Sequence, residues 1–324
     1  MSLPKYTLIS NPWFVPPENY GDSYRAPTPA NFPNQHFSEL QVEFDTATRA
    51  CWCFMKPVGR PSFTPGLLRD LDTLQQAIKK VSTERPGGEL PVQYFVLASK
   101  IPGIFNLGGD LTMLARFIRT RDRHGLMSYA RACIDVLHSN AVGLDVPLMT
   151  VALVQGDALG GGFESALACD FVVAERHSKF GFPEILFNLF PGMGAYSLLS
   201  RRLDAARAEQ MILSGRVYEA EELHEMGLIH MLVEPGQGEA ALRDYLAHRG
   251  RRFTSQSAVY QARRKSQPLP YEELRDIVEI WVETALRLQD IDLRKMERLV
   301  AAQDKRRAAG GSLRPIDGQD NVSR

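Results

Sequence analysis

An α/β fold with much parallel strand pairing is predicted by three observations. Short apolar runs alternate with helical stretches from about residue 40 onward. The links that follow several of those runs carry glycines, as tight strand-to-helix turns require. Beyond Ser255 the runs stop and the pattern becomes purely helical, marking a separate C-terminal region.

The elements follow in order. Residues 1–36 hold Pro12, Pro16, Pro17, Pro27, Pro29 and Pro33, and read as an extended arm packed on the body through Trp13 and Phe14. Residues 37–250 form the core. Residues 40–44 alternate as a half-buried strand does, and 50–55 read as a buried strand. Thr64-Pro65 opens a helix with a hydroxyl cap and a first-turn proline, and Leu67, Leu68, Leu71, Leu74 and Ala77 line its apolar face. Residues 94–98 form a short strand, followed by a glycine loop, a helix from about Leu111 and a helix over 127–138. A buried strand at 148–154 ends at Gly156 and a glycine triplet, and the helix from about Phe163 leads into a strand at 171–174. In the C-terminal helical region, 251–307, Leu274, Ile277, Trp281, Ala285 and Leu288 make one apolar stripe. Leu293, Met296, Leu299 and Val300 make another, and both pack on the core or on a neighbouring subunit. Residues 308–324 read as a disordered tail.

Bulk composition excludes several functions. Lys plus Arg equals Asp plus Glu at 38 each, which argues against a general nucleic-acid or membrane-surface binder. No run approaches the ~20 apolar residues that span a bilayer, and the start lacks a basic stretch followed by an apolar one, so a cytoplasmic protein is expected. Cys51, Cys53, Cys133 and Cys169 form no CxxC pair and read as reduced core thiols. There is no GxxxxGK[ST], no well-placed GxGxxG, no HExxH and no GxSxG, so neither a cofactor nor a metal is expected.

Two loops and two glutamates carry the chemistry. The loop Phe105-Asn106-Leu107-Gly108-Gly109-Asp110 can present the Gly109 N–H outward while Asp110 caps the next helix. The second loop ends in Gly160-Gly161-Gly162, with Glu164 just beyond. Backbone N–H groups from two loops are what an oxyanion hole needs. Glu184, after Phe182-Pro183, supplies a second carboxyl for proton transfer.

Taken together, residues 154–164, 180–184 and 190–194 resemble the signature of the crotonase (enoyl-CoA hydratase/isomerase) superfamily, over roughly residues 38–305. Residues 105–111, 184–187, 192–197 and 279–282 further resemble the diffusible signal factor synthases of that superfamily. The resemblance implies a crotonase-type ββα spiral core with Gly109 and Gly161 as oxyanion-hole donors and Glu164 and Glu184 as the acid/base pair. It implies a dehydratase, and thioesterase, acting on 3-hydroxyacyl thioesters of acyl carrier protein or CoA to give cis-2-unsaturated fatty acid signals. Leu107, Gly108, Phe163, Phe182, Leu186 and Trp281 become candidate substrate-binding residues. The alternatives are an enoyl-CoA hydratase/isomerase of fatty acid metabolism and a silent binding protein of the same fold. Family habit implies a homotrimer or dimer of trimers, and some signal factor synthases are restrained by a regulatory sensor protein. The Asn-Ala pair of many CoA-binding members is replaced by residues 59–65, and Arg263-Arg264-Lys265 is a basic cluster available to an acidic carrier protein.

Overall fold

Two sheets share one polypeptide path in the computed structural model, which describes residues 6–8, 36–84 and 90–308. The strands are β1 (Tyr6–Leu8), β2 (Leu40–Asp45), β3 (Ala50–Met55), β4 (Tyr94–Ser99), β5 (Gly103–Asn106) and β6 (Met149–Val154). They continue with β7 (Gly156–Leu159), β8 (Phe171–Glu175), β9 (Lys179–Gly181), β10 (Val217–Glu219) and β11 (Met231–Val233). The larger sheet has the order β1-β11-β8-β6-β4-β3-β2, and the smaller β10-β9-β7-β5. Strands β3, β4, β6, β8 and β11 run parallel, with β2 and β1 antiparallel at the edges.

The parallel strands read as unbroken apolar runs because both faces are covered. On β3, Cys51, Cys53 and Met55 face one core cluster, while Trp52 and Phe54 face the other. All four cysteines are free and buried.

The helices are α1 (Pro65–Thr83), α2 (Leu111–Arg119), α3 (Arg123–Ala141), α4 (Gly161–Ala168), α5 (Ala195–Arg202) and α6 (Ala205–Ser214). After them come α7 (Ala220–Glu225), α8 (Gly238–Arg249), α9 (Phe253–Ser266), α10 (Tyr271–Ala285) and α11 (Asp290–Ala308). Three successive units put one strand in the larger sheet and the next in the smaller before a helix begins: β4-β5-α2, β6-β7-α4 and β8-β9-α5. This is the ββα repeat that the resemblance implies. The caps of α1 and α2 form as expected, with Thr64 Oγ1 accepting from Leu67 N–H and Asp110 accepting from Thr112 and Met113 N–H.

Several expectations need correction. The strand at 148–154 does not lead straight to the triplet, because Gly156 starts β7. A Cβ at Gly156 would lie 2.0 Å from the carbonyl carbon of Gly103, so only glycine lets β7 press against β5 there. The N-terminal arm contributes Tyr6–Leu8, which pair antiparallel with Met231–Val233; Trp13 and Phe14 lie outside the described residues. At the other end α11 runs through Ala308, and the expected tail otherwise lies outside the described residues.

The basic cluster is also not a free patch. Asp170, fully buried, accepts from Arg263 at 2.8 Å, from Arg264 and from Thr150 N–H at 3.0 Å. Two of the three cations are therefore spent holding α9 to the core. The reason is the buried charge of Asp170, which requires paired partners.

Candidate active site

Both glycine loops are brought together by the pairing of β5 with β7, which is parallel and aligns Gly103 with Gly156 and Asn106 with Ala158. Parallel strands end at the same edge, so the turns that follow them lie side by side. Gly108, at φ +86°, sits so close to the triplet that a Cβ there would fall 2.8 Å from Gly161 N. Gly162 is equally constrained, since its Cβ would meet Asn106 O at 2.0 Å. The third parallel strand, β9, aligns Gly181 with Leu159, and Gly160 N–H donates to Gly181 O at 2.9 Å. Glu184 then enters on a single 3₁₀ turn, Pro183–Phe187. Three neighbouring strand ends thus deliver Gly109, Gly161 with Glu164, and Glu184.

These residues line one cavity of about 50 Å³, together with Trp281 and Tyr129. Among the described residues, the N–H of neither Gly109 nor Gly161 is engaged in a hydrogen bond. For Gly161 this follows from its place in the first turn of α4, whose N–H groups have no partner within the helix. For Gly109 the peptide plane supplies the reason. Gly108 O accepts from Phe63 N–H at 2.8 Å, and in a trans peptide the next N–H points the opposite way.

The two carboxyls are held differently. Glu164 Oε1 accepts from Ala195 N–H at 2.8 Å, at the start of α5, where the helix dipole favours negative charge. Burial pushes Glu164 up to about 7, opposed by the N–H groups of Ala195, Met193 and Gly194. Glu184 has only its own backbone N–H in opposition; burial first, and then the charge of Glu164, push it up to about 8. Its Oε2 is buried without a hydrogen-bond partner among the described residues. Gly160, at φ +50°, leaves the room for this carboxyl, because a Cβ there would sit 2.3 Å from Glu184 Oε1. One carboxyl set up to ionise first stands beside one set up to keep its proton.

Trp281, from α10, lies across Gly192, whose Cβ would come 2.4 Å from the indole Cδ1. The other expected contacts go elsewhere. Phe163 stacks on Phe182 at 4.9 Å between centroids and meets Phe180 edge-on at 5.2 Å, so both Phe163 and Phe182 are core residues. Leu186 is 42% exposed on the outer side of its turn. Leu107 and Gly108 shape the loop rather than the cavity wall: Leu107 N–H donates to Pro61 O, and Gly108 N–H to Asn106 Oδ1. Sequence reasoning missed Tyr129 and the N–H of Ala195. The only signal for the latter was the Gly192-Met193-Gly194 turn at a helix start.

Comparison with known proteins gives the family and the fold. The enoyl-CoA hydratase/isomerase family matches residues 63–268. Mitochondrial methylglutaconyl-CoA hydratase of Rattus norvegicus is 31% identical over 250 residues, covering 76% of this chain and 74% of that protein. Two solved structures share the α/β fold with its C-terminal helices. Enoyl-CoA hydratase from Bacillus halodurans gives a TM-score of 0.66 at 22% identity, covering 81% of this chain and all of that one (100%). Human mitochondrial delta3-delta2-enoyl-CoA isomerase also gives 0.66, at 17% identity, covering 83% of this chain and 99% of that one.

Proposed function

We propose that this chain, which belongs to the enoyl-CoA hydratase/isomerase family, catalyses reversible addition of water across the C2–C3 double bond of a 2-enoyl-CoA thioester. The observation that carries the reading is the meeting, in one cavity, of two unengaged backbone N–H groups and two buried carboxyls, one held by the Ala195 N–H and one with an oxygen left without a partner among the described residues.

The thioester carbonyl oxygen accepts from the N–H of Gly109 and Gly161, which stabilises the enolate-like charge that develops on it. Glu164, the carboxyl that ionises first, takes a proton from the water that attacks C3. Glu184, which keeps its proton to higher pH, delivers it to C2. In the reverse direction Glu184 removes the C2 proton and Glu164 protonates the departing hydroxyl. The test is loss of enoyl-thioester absorbance on incubation with short 2-enoyl-CoA esters, with formation of the 3-hydroxyacyl product checked by mass spectrometry. Absence of turnover by folded protein across a chain-length series overturns the reading.

A narrower reading makes cis-2-unsaturated fatty acids from carrier-protein thioesters, with release of the free acid. Its support is the loop at 59–65, which replaces the Asn-Ala pair of many CoA-binding members. That loop is tied to α11 by Arg60, which donates to Asp304 at 2.8 Å and to Gln303 at 2.6 Å. The internal pairing of Arg263 and Arg264 with Asp170, which takes two cations away from an acidic carrier protein, favours the hydratase instead. Free unsaturated acid released from 3-hydroxyacyl carrier protein, faster than hydration of any enoyl-CoA, would reverse that preference.

A further inference from the structure

Tyr129 lies on α3 and comes to the cavity from outside both glycine loops. Its hydroxyl makes two hydrogen bonds, and their direction is fixed by chemistry. Phe63 O can only accept, so the phenolic proton points there, at 2.6 Å. The lone pairs then face Asp110 N–H, which donates at 2.9 Å.

The three residues involved frame Gly109. The peptide before Gly109 is held through Gly108 O, which accepts from Phe63 N–H at 2.8 Å. The peptide after it is held through Asp110 N–H on the Tyr129 hydroxyl. Because the same hydroxyl grips Phe63 O, it ties the two anchors to each other. A planar peptide has no soft torsion of its own, so pinning both planes fixes the direction of the Gly109 N–H. A Cβ at Gly109 would lie 3.5 Å from the Tyr129 oxygen, which measures how near the pin stands to the amide.

We propose that Tyr129 is a positioning residue: its hydroxyl locks the peptide planes on either side of Gly109 so that this N–H meets the thioester oxygen. The proposal rests on the oxyanion role given to Gly109 above. Tyr129 takes no part in proton transfer. Its contribution appears in the transition state, where a misaimed donor is felt most.

The test is Tyr129→Phe, which keeps the buried ring and removes only the oxygen. The expected result is a kcat lowered roughly 10–100-fold with KM changed by less than about threefold, in a protein that melts cooperatively. A second readout isolates the carbonyl: a bound 3-aryl-2-enoyl-CoA, whose absorbance shifts to the red when its carbonyl is polarised. The parent is expected to shift the band and Tyr129→Phe to lose most of that shift. A parent that shifts the band and a Tyr129→Phe that shifts it equally, or keeps its kcat, overturns the proposal alone. A parent that binds the probe with no shift overturns the oxyanion reading and the proposal with it. A Tyr129→Phe chain that fails to fold also overturns it, since the hydroxyl would then serve stability rather than alignment.

Discussion

Glu184 keeps its proton partly because Glu164 gives its own up: after burial, the charge on Glu164 is the cause that raises Glu184. Glu164 in turn is eased towards ionisation by Ala195 N–H, a partner that Glu184 lacks. The inequality of the pair therefore comes from where α5 begins. The first N–H of α5 goes to one carboxyl, and the other is opposed only by its own backbone N–H.

Replacing either carboxyl with its amide should remove turnover without removing the fold. Glu164→Gln and Glu184→Gln are each expected to lower kcat roughly 10²–10⁴-fold, with cooperative melting retained. Steady-state rates and thermal melts of the same preparations check this.

The pH profile should be a narrow bell. Activity needs Glu164 ionised and Glu184 protonated, so kcat/KM should rise near about 7 and fall near about 8, as apparent values of the pair. Glu184→Gln should lose the alkaline limb in whatever activity remains.

Stability should move the opposite way to that of an ordinary surface carboxylate. Both folded values lie above the usual 4.5, so the folded state holds protons that the unfolded chain has released. Stability is then full below about 4.5 and is lost as pH rises through the folded values near 7 and 8. Glu184→Gln should therefore be more stable than the parent at pH 9, by on the order of a few kcal/mol, and melt higher there, with the gap closing towards pH 5. Melts across that range decide it.

The glycine triplet should separate fold from function. A methyl at Gly162 meets backbone, Asn106 O at 2.0 Å, so Gly162→Ala should unfold or melt far lower. At Gly161 it meets chiefly the Met193 sulfur at 2.4 Å, the end of a flexible side chain lining the cavity. Gly161→Ala should thus fold and lose activity.

How much of this could be read from the sequence depends on distance along the chain. The strands announce themselves as apolar runs, and Glu164 is found by its place after the triplet. The neighbours Phe163 and Phe182 misled for a geometric reason. Successive helical residues point about 100° apart, so Phe163 enters the core where Glu164 faces the cavity. Phe180 and Phe182 lie two apart on an extended run and share that core side against Phe163. Tyr129 sits in an apolar helical stretch, and its hydroxyl partners are 66 and 19 residues away. Nothing local marks it. Ala195 is marked only by the Gly192-Met193-Gly194 turn before it, because the group that acts is its backbone N–H and not its side chain.

Asp170 extends the argument to α9. It is buried with Arg263 and Arg264 as partners, so Asp170→Ala leaves those cations facing each other and should cost roughly 3–5 kcal/mol. Chemical denaturation against the parent measures it.

The central claim is that Glu164 and Glu184 act as one pair on a thioester held by Gly109 and Gly161. The most direct measurement is hydration of crotonyl-CoA by the parent, Glu164→Gln, Glu184→Gln and the double variant. The parent is expected to turn over and the double variant to be scarcely slower than either single one, because a broken pair cannot be broken twice. A folded single variant with parental turnover, or two single losses that multiply in full, would contradict it.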